Sequence, residues 1–158
     1  MANNDNSCSN LKIKDHYTVS KNTLADLMNM QKDIQEKVYG YNFKELQEGP
    51  LSGMRKFFDW NYHAIQDELR EMMDALGGIK DGIGSGVWKP WKKAHKLADE
   101  YTFNKMTNSD KKELKMELVD LMHFFFNLCA AVNMTPEELF NYYMAKNEEN
   151  IRRQNTGY

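Results

Sequence analysis

Apolar side chains recur at intervals of three and four along most of this chain, and the strict alternation that marks strands is nearly absent. Leu24, Leu27, Met28, Ile34 and Val38 fall near helical spacing and predict a helix over about 23–39. Gly40, then Gly49 and Pro50, break the stretch that follows. A long helix is predicted from about Ser52 to Leu76, where Gly77 and Gly78 stop it. Residues 77–86, GGIKDGIGSG, carry five glycines and read as a mobile loop, without the G-x-x-x-x-G-K-[ST] order of a P-loop. A shorter, basic helix is expected within WKPWKKAHKLADE. Asn108 or Ser109 is the expected cap of a helix that ends near Asn133. Thr135-Pro136-Glu137-Glu138 is a capping box with proline at the first helical position, so a last helix opens there and runs to about Gln154. The pattern predicts an irregular leader over 1–20 and a single domain over 21–158, an all-α bundle of four to five helices.

One helix departs from simple amphipathicity. Between Leu114 and Val132 the chain reads LKMELVDLMHFFFNLCAAV, and after Lys115 its only polar side chains are Glu117, Asp120, His123 and Asn127. At about 100° per residue these four occupy roughly a third of the circumference, one stripe on a segment otherwise apolar enough to be buried. An uncompensated buried charge costs several kcal/mol, so something cationic must face the two carboxylates.

Composition narrows the field. Eight Phe, eight Tyr, three Trp and eleven Met can fill a core, while a net charge of −2 leaves no electrostatic footprint for nucleic acid. The polar start MANNDNSCSN carries no signal-type apolar run, and no uncharged stretch approaches the ~18 residues that span a bilayer, so the expectation is a cytoplasmic protein without a membrane partner. Two cysteines, Cys8 in the leader and Cys129 in the apolar helix, make no disulfide framework and lack metal-ligand spacing.

The long helix holds a second acidic pair, Glu68 and Glu71, three residues apart and flanked on that face by the small Ala64 and Ala75. E-x-x-E on an exposed helix is more often a solvated face than a site, and Asp67, Arg70 and Asp74 around it suit that blander reading. E-x-x-D inside an apolar helix is rarer. If Glu68, Glu71, Glu117 and Asp120 converge, they cannot all stay ionised without cations, and oxygen-only ligands favour Mg²⁺ or Mn²⁺. A di-iron centre would need two Glu-x-x-His units, whereas Asp120-x-x-His123 is the one carboxylate with histidine three residues on. Lys146, Asn150 and Arg153 share a face of the last helix with Asn147 beside them, a strip suited to phosphate and sugar oxygens or simply a solvated helix end. Trp88, Lys89, Trp91 and Lys92 are either an aromatic wall for a base with lysines for phosphate, or core tryptophans with exposed lysines.

E-x-x-E on one helix, E-x-x-D on a later one, W-K-P-W-K between them and the closing KNEENIRRQNTGY resemble the all-α dimeric dUTPases, relatives of the MazG-type nucleotide pyrophosphohydrolases. The similarity runs from about Leu24 to the C-terminus, and VWKPWKK is most similar to the dCTPase-dUTPase branch of tailed bacteriophages. The resemblance implies an all-α pyrophosphohydrolase fold assembled as a homodimer, with Mg²⁺ (or Mn²⁺) on Glu68, Glu71, Glu117 and Asp120. It implies hydrolysis of dUTP, dCTP or both to monophosphate and pyrophosphate, with Glu71 as general base. Lys92, Lys146, Arg153 and Tyr158 would grip phosphates, and Asn147 and Asn150 the sugar or base edge. His123 and Phe124 stand where the family places base contacts, although a core histidine is an equal alternative for His123, and Trp88 or Trp91 would close over the base. Gln31 and Gln35 occupy a position where many dimeric dUTPases carry a Gln followed four residues later by Asn. Uracil and cytosine exchange donor and acceptor at positions 3 and 4, and a rotatable amide can serve either, so the departure predicts action on dCTP as well as dUTP. The competing expectations are a pyrophosphohydrolase for a purine or modified dNTP, and a non-catalytic helical dimer that binds nucleotide or metal.

Overall fold

The computed structural model describes residue 12 and residues 20–76, 89–98 and 102–157. Among them are six α-helices and a 3-10 turn, with no strand: α1 Thr23–Lys37, α2 Phe43–Glu48, α3 Leu51–Ala75, α4 Lys93–Ala98, the turn Phe103–Lys105, α5 Asn108–Ala131 and α6 Pro136–Thr156. The all-α expectation holds. The chain divides into two compact units, one of residues 1–17 and 60–125, the other of 18–59 and 126–158.

The unit of 18–59 and 126–158 is built on helix caps and two small apolar clusters. Asn22 accepts from the Ala25 amide at 3.2 Å to open α1. Thr135 and Glu138 form the reciprocal capping box of α6, with Oγ1 accepting from the Glu138 amide at 3.1 Å and Oε2 from the Thr135 amide at 2.9 Å. Met28, Phe126 and Cys129 form one buried cluster, with Leu24, Met134 and Leu139 packed against it. Phe43, Phe57 and Ala131 form the other, where Phe57 takes Tyr41 and Phe43 edge-on at 4.9 and 5.7 Å. The sharp α5–α6 connection depends on Asn133 at φ 54, a left-handed conformation that asparagine tolerates, while the Met134 amide reaches back to the Cys129 carbonyl at 2.9 Å.

The breaks at Gly40 and Gly49-Pro50 are real, but six of the eight residues between them, Phe43–Glu48, form α2. That stretch is too short to carry a periodic signal. It is helical because Asn42 caps it, accepting from the Glu45 amide at 3.2 Å, and because Phe43 is buried in the core.

In the unit of 1–17 and 60–125, Thr107 rather than Asn108 or Ser109 caps α5. Its Oγ1 accepts from the Asp110 amide at 3.1 Å and donates to the Asp110 carboxylate at 2.8 Å, so the reach to the third helical amide fixes the start one residue earlier. Trp60 meets Phe124 edge-on at 6.0 Å. The apolar sequence of α5 predicts a buried helix, yet Leu118, Val119, Met122 and Phe125 are 41–48% exposed. Of the three successive phenylalanines only Phe126 is buried, since side chains 100° apart cannot all face one core. No single helix among the described residues is long and apolar enough to cross a membrane.

Candidate functional site

Glu68 and Glu71 lie one turn apart on α3, and Glu117 lies near the middle of α5. Each offers a carboxylate oxygen, and the three atoms lie within 4.8 Å of one another. Glu117 is buried, Glu68 half-buried and Glu71 exposed, so the trio runs from interior to solvent. Burial first, then the charges of Glu71, Glu113, Glu68 and Asp120, push the Glu117 carboxyl up to about 7. Glu68 is also raised, by burial and then by Asp120 and Glu71, against a hydrogen bond with Glu117 that lowers it. Crowded carboxylates on two helices, with Glu68 and Glu117 both raised, form a site whose electrostatics improve on binding a cation.

Asp120 falls outside the trio. Its Oδ1 lies 3.9 Å from Nδ1 of His123; burial raises its pKa and the histidine opposes that rise. His123 is exposed, so the core-histidine alternative does not describe it. Phe124 is half-buried against Trp60. Trp91 and Lys92 are exposed at the turn that leads into α4, which removes the core reading of Trp91.

Two residues next to the trio escaped the sequence reading. Glu113 is buried one turn before Glu117, and its charge helps to raise the carboxyls of both Glu117 and Asp120. Its i, i+4 relation to Glu117 was the available signal, hidden because the apolar run begins only at Leu114. Arg70 has the spacing of a solvated face, but Nη2 donates to Glu71 Oε1 at 2.9 Å as well as to Asp67 Oδ1 at 2.9 Å, and Nη1 to Asp74 Oδ2 at 3.3 Å.

The other unit holds the amide-bearing candidates. Gln31 and Gln35 are buried on α1. Gln31 Nε2 donates to Asn127 Oδ1 at 2.8 Å, tying α1 to the end of α5. Gln35 Oε1 is buried with no hydrogen-bond partner, an open acceptor. On α6, Lys146, Asn147 and Asn150 are exposed. Arg153 is half-buried and donates to Glu149 at 2.7 Å, as does Arg152, and the two guanidinium groups hold the Glu149 carboxyl down to about 2. Trp88, Tyr158, the glycine-rich stretch 77–86 and the leader up to residue 19, apart from Lys12, lie outside the described residues.

A protein-family model described as dUTPase matches residues 102–158, which include Glu117, Asp120 and the closing motif. The dCTP pyrophosphatase of Enterobacteria phage LZ5 is 43% identical over 96 residues, 60% of this chain and 56% of that protein. The dCTP pyrophosphatase of Enterobacteria phage T4 is 35% identical over 147 residues, 87% of this chain and 84% of that protein. A DNA replication protein of the same phage is 34% identical over 137 residues, 81% of this chain but 34% of its own length. The chain thus spans about half of the first relative, a third of the last and most of the second. No solved structure matches.

Proposed function

The chain belongs to the dUTPase family, beside the phage dCTP pyrophosphatases, and from that premise we propose that it hydrolyses dCTP, dUTP or both to the nucleoside monophosphate and pyrophosphate. The observation that carries this reading is the carboxylate trio Glu68, Glu71 and Glu117, with ligand atoms within 4.8 Å. Its donors are all carboxylate oxygens, the ligand set of a hard divalent cation, and the raised Glu117 carboxyl supports the fit. Glu68, Glu71 and Glu117, with Asp120 close by, hold Mg²⁺ or, as a substitute, Mn²⁺. When bound, the metal supplies neutralisation of the triphosphate charge and a more acidic water.

The chain's own residues do the rest. Glu71, the most solvent-accessible of the trio, takes the proton of the attacking water as general base. Lys92, Lys146, Arg153 and Tyr158 bind phosphate oxygens, with the Arg153 fork exchanging Glu149 for phosphate. Asn147 and Asn150 bind the sugar, while Trp88, Trp91, His123 and Phe124 enclose the base. Gln31 and Gln35 read the base edge. A buried acceptor without a donor suits the exocyclic amino group of cytosine better than O4 of uracil, which supports dCTP as the better substrate.

The working form is a homodimer with the site shared between copies. Leu118, Met122 and Phe125 support this, an exposed apolar row at i, i+4 and i+7 on α5. The phage relatives support the host cytoplasm as the place of action.

Pyrophosphate release from each dNTP, measured with and without Mg²⁺, tests the reading. Metal-dependent turnover of dCTP or dUTP with little of dATP or dGTP is expected. Turnover of purine dNTPs alone, or of none, overturns it.

A further inference from the structure

The acidic trio has a cation beside it that belongs to the chain itself. Successive helical side chains point about 100° apart and do not ordinarily pair, yet Arg70 Nη2 donates to Glu71 Oε1 at 2.9 Å. Its guanidinium is held in place from both directions along α3. Nε and Nη2 donate to Asp67 Oδ1 at 3.1 and 2.9 Å, one turn before, and Nη1 donates to Asp74 Oδ2 at 3.3 Å, one turn after. A planar fork with five donors can span three carboxylates in this way, whereas a lysine ammonium cannot.

Glu71 is the exposed member of the trio, and it places a carboxylate oxygen within 4.8 Å of ligand atoms of Glu68 and Glu117. An unpartnered exposed glutamate samples many rotamers, and ordering it on cation binding costs free energy. The geometry points to Arg70, buttressed by Asp67 and Asp74, as a positioning residue that holds the Glu71 carboxylate toward Glu68 and Glu117 and so strengthens divalent-cation binding there. This inference rests on the metal assignment above. The opposite effect, repulsion of an incoming cation by the guanidinium, is weak because the Arg70 side chain is 56% exposed and its charge is screened by water and salt.

The test is direct titration of the full chain with Mn²⁺, without nucleotide, followed by calorimetry and by the electron paramagnetic resonance of free Mn²⁺. Arg70→Ala should raise the Mn²⁺ dissociation constant about three- to tenfold, below the usual loss for residues that orient metal ligands because this one is exposed. Arg70→Lys should recover only a minor part of that loss. Asp67→Asn combined with Asp74→Asn keeps the guanidinium but removes its anchors, and should raise the constant about two- to threefold. That double variant carries the test should Arg70→Ala fail to fold. Unchanged or tighter Mn²⁺ binding in Arg70→Ala, or in the double variant where that one carries the test, overturns the inference. In turnover assays the Mg²⁺ concentration for half-maximal rate should rise while kcat at saturating Mg²⁺ stays within about twofold. If the unaltered chain binds Mn²⁺ yet hydrolyses no dNTP, the functional reading fails while the binding result still decides the role of Arg70. If it binds no Mn²⁺ at millimolar concentration, both fail.

Discussion

Helix α5 contributes to two polar clusters that solve opposite problems. In the unit of 1–17 and 60–125 its Glu117 meets Glu68 and Glu71, and every neighbour that shifts the Glu117 carboxyl pushes it the same way. In the unit of 18–59 and 126–158 its Asn127 meets Gln31, and a neutral amide pair closes a 2.8 Å hydrogen bond. Ten residues apart on one helix, the first cluster gathers like charges that leave the Glu68 and Glu117 carboxyls raised, while the second is nearly satisfied and leaves the Gln35 carbonyl unused. A stripe of polar residues on an apolar helix is therefore two different chemical statements. Carboxylates there call for a cation, and amides call for a hydrogen-bonding partner.

The largest expected effect separates the two clusters by catalysis. Glu71→Gln keeps the size of the side chain and removes both its charge and its basicity, so kcat with Mg²⁺ should fall by about 10²–10⁴ while dCTP remains bound, as followed by calorimetry. Retention of more than a tenth of the rate would move the general base elsewhere.

The next effect is on stability. Glu117 has an ordinary value of 4.5 raised to about 7 in the folded protein, so the fold holds that proton more tightly than the unfolded chain does. Its contribution is fully favourable below pH 4.5 and is lost as the pH rises to about 7. The metal-free protein should accordingly melt lower at pH 7.5 than at pH 5, by about 3–6 °C. Saturating Mg²⁺ should flatten that dependence, because the cation takes over the role of the proton. Glu117→Gln should flatten it without metal and raise the metal-free melting temperature at pH 7.5, while abolishing the response to Mg²⁺. A melting temperature that rises between pH 5 and 7.5 would show that the charge crowding is not felt by the fold.

Much of this organisation was legible in the sequence. Periodicity located the long helices, and Thr135-Pro136-Glu137-Glu138 announced the capping box because every part of that motif is local. The acidic pair Glu117 and Asp120 was legible because burying charge on an apolar helix has few explanations, whereas Glu68 and Glu71 alone have the spacing of a solvated face. Helix α2 was not, since six residues cannot display a period and its stability comes from burying Phe43 beside Phe57 and Ala131, a contact distant in sequence. Nor was the role of Arg70: Asp67, Arg70 and Asp74 have the spacing of any solvated helix face, and only the three-dimensional direction of the guanidinium adds Glu71. The separation of Asp120 from the trio was equally hidden, because E-x-x-D fixes a shared face of α5 but not which carboxylate reaches α3.

The smallest effects probe the amide cluster and turn on the difference between a made and an unmade hydrogen bond. Gln31→Met preserves volume but deprives Asn127 Oδ1 of the donor at 2.8 Å, leaving a buried acceptor without that partner, and should cost about 1–3 kcal/mol in urea unfolding. Gln35→Met removes an acceptor that already lacks a partner, so its cost should stay near zero, within about 0.5 kcal/mol in either direction. The same Gln35→Met change should lower kcat/KM for dCTP about tenfold or more and affect dUTP less, because the acceptor for the cytosine amino group is gone. A substitution that is silent in unfolding yet selective in substrate choice would show that the open carbonyl is kept for a ligand. If Gln35→Met instead destabilises as much as Gln31→Met and leaves the two substrates equally affected, Gln35 is a packing residue and the contrast within the amide cluster disappears.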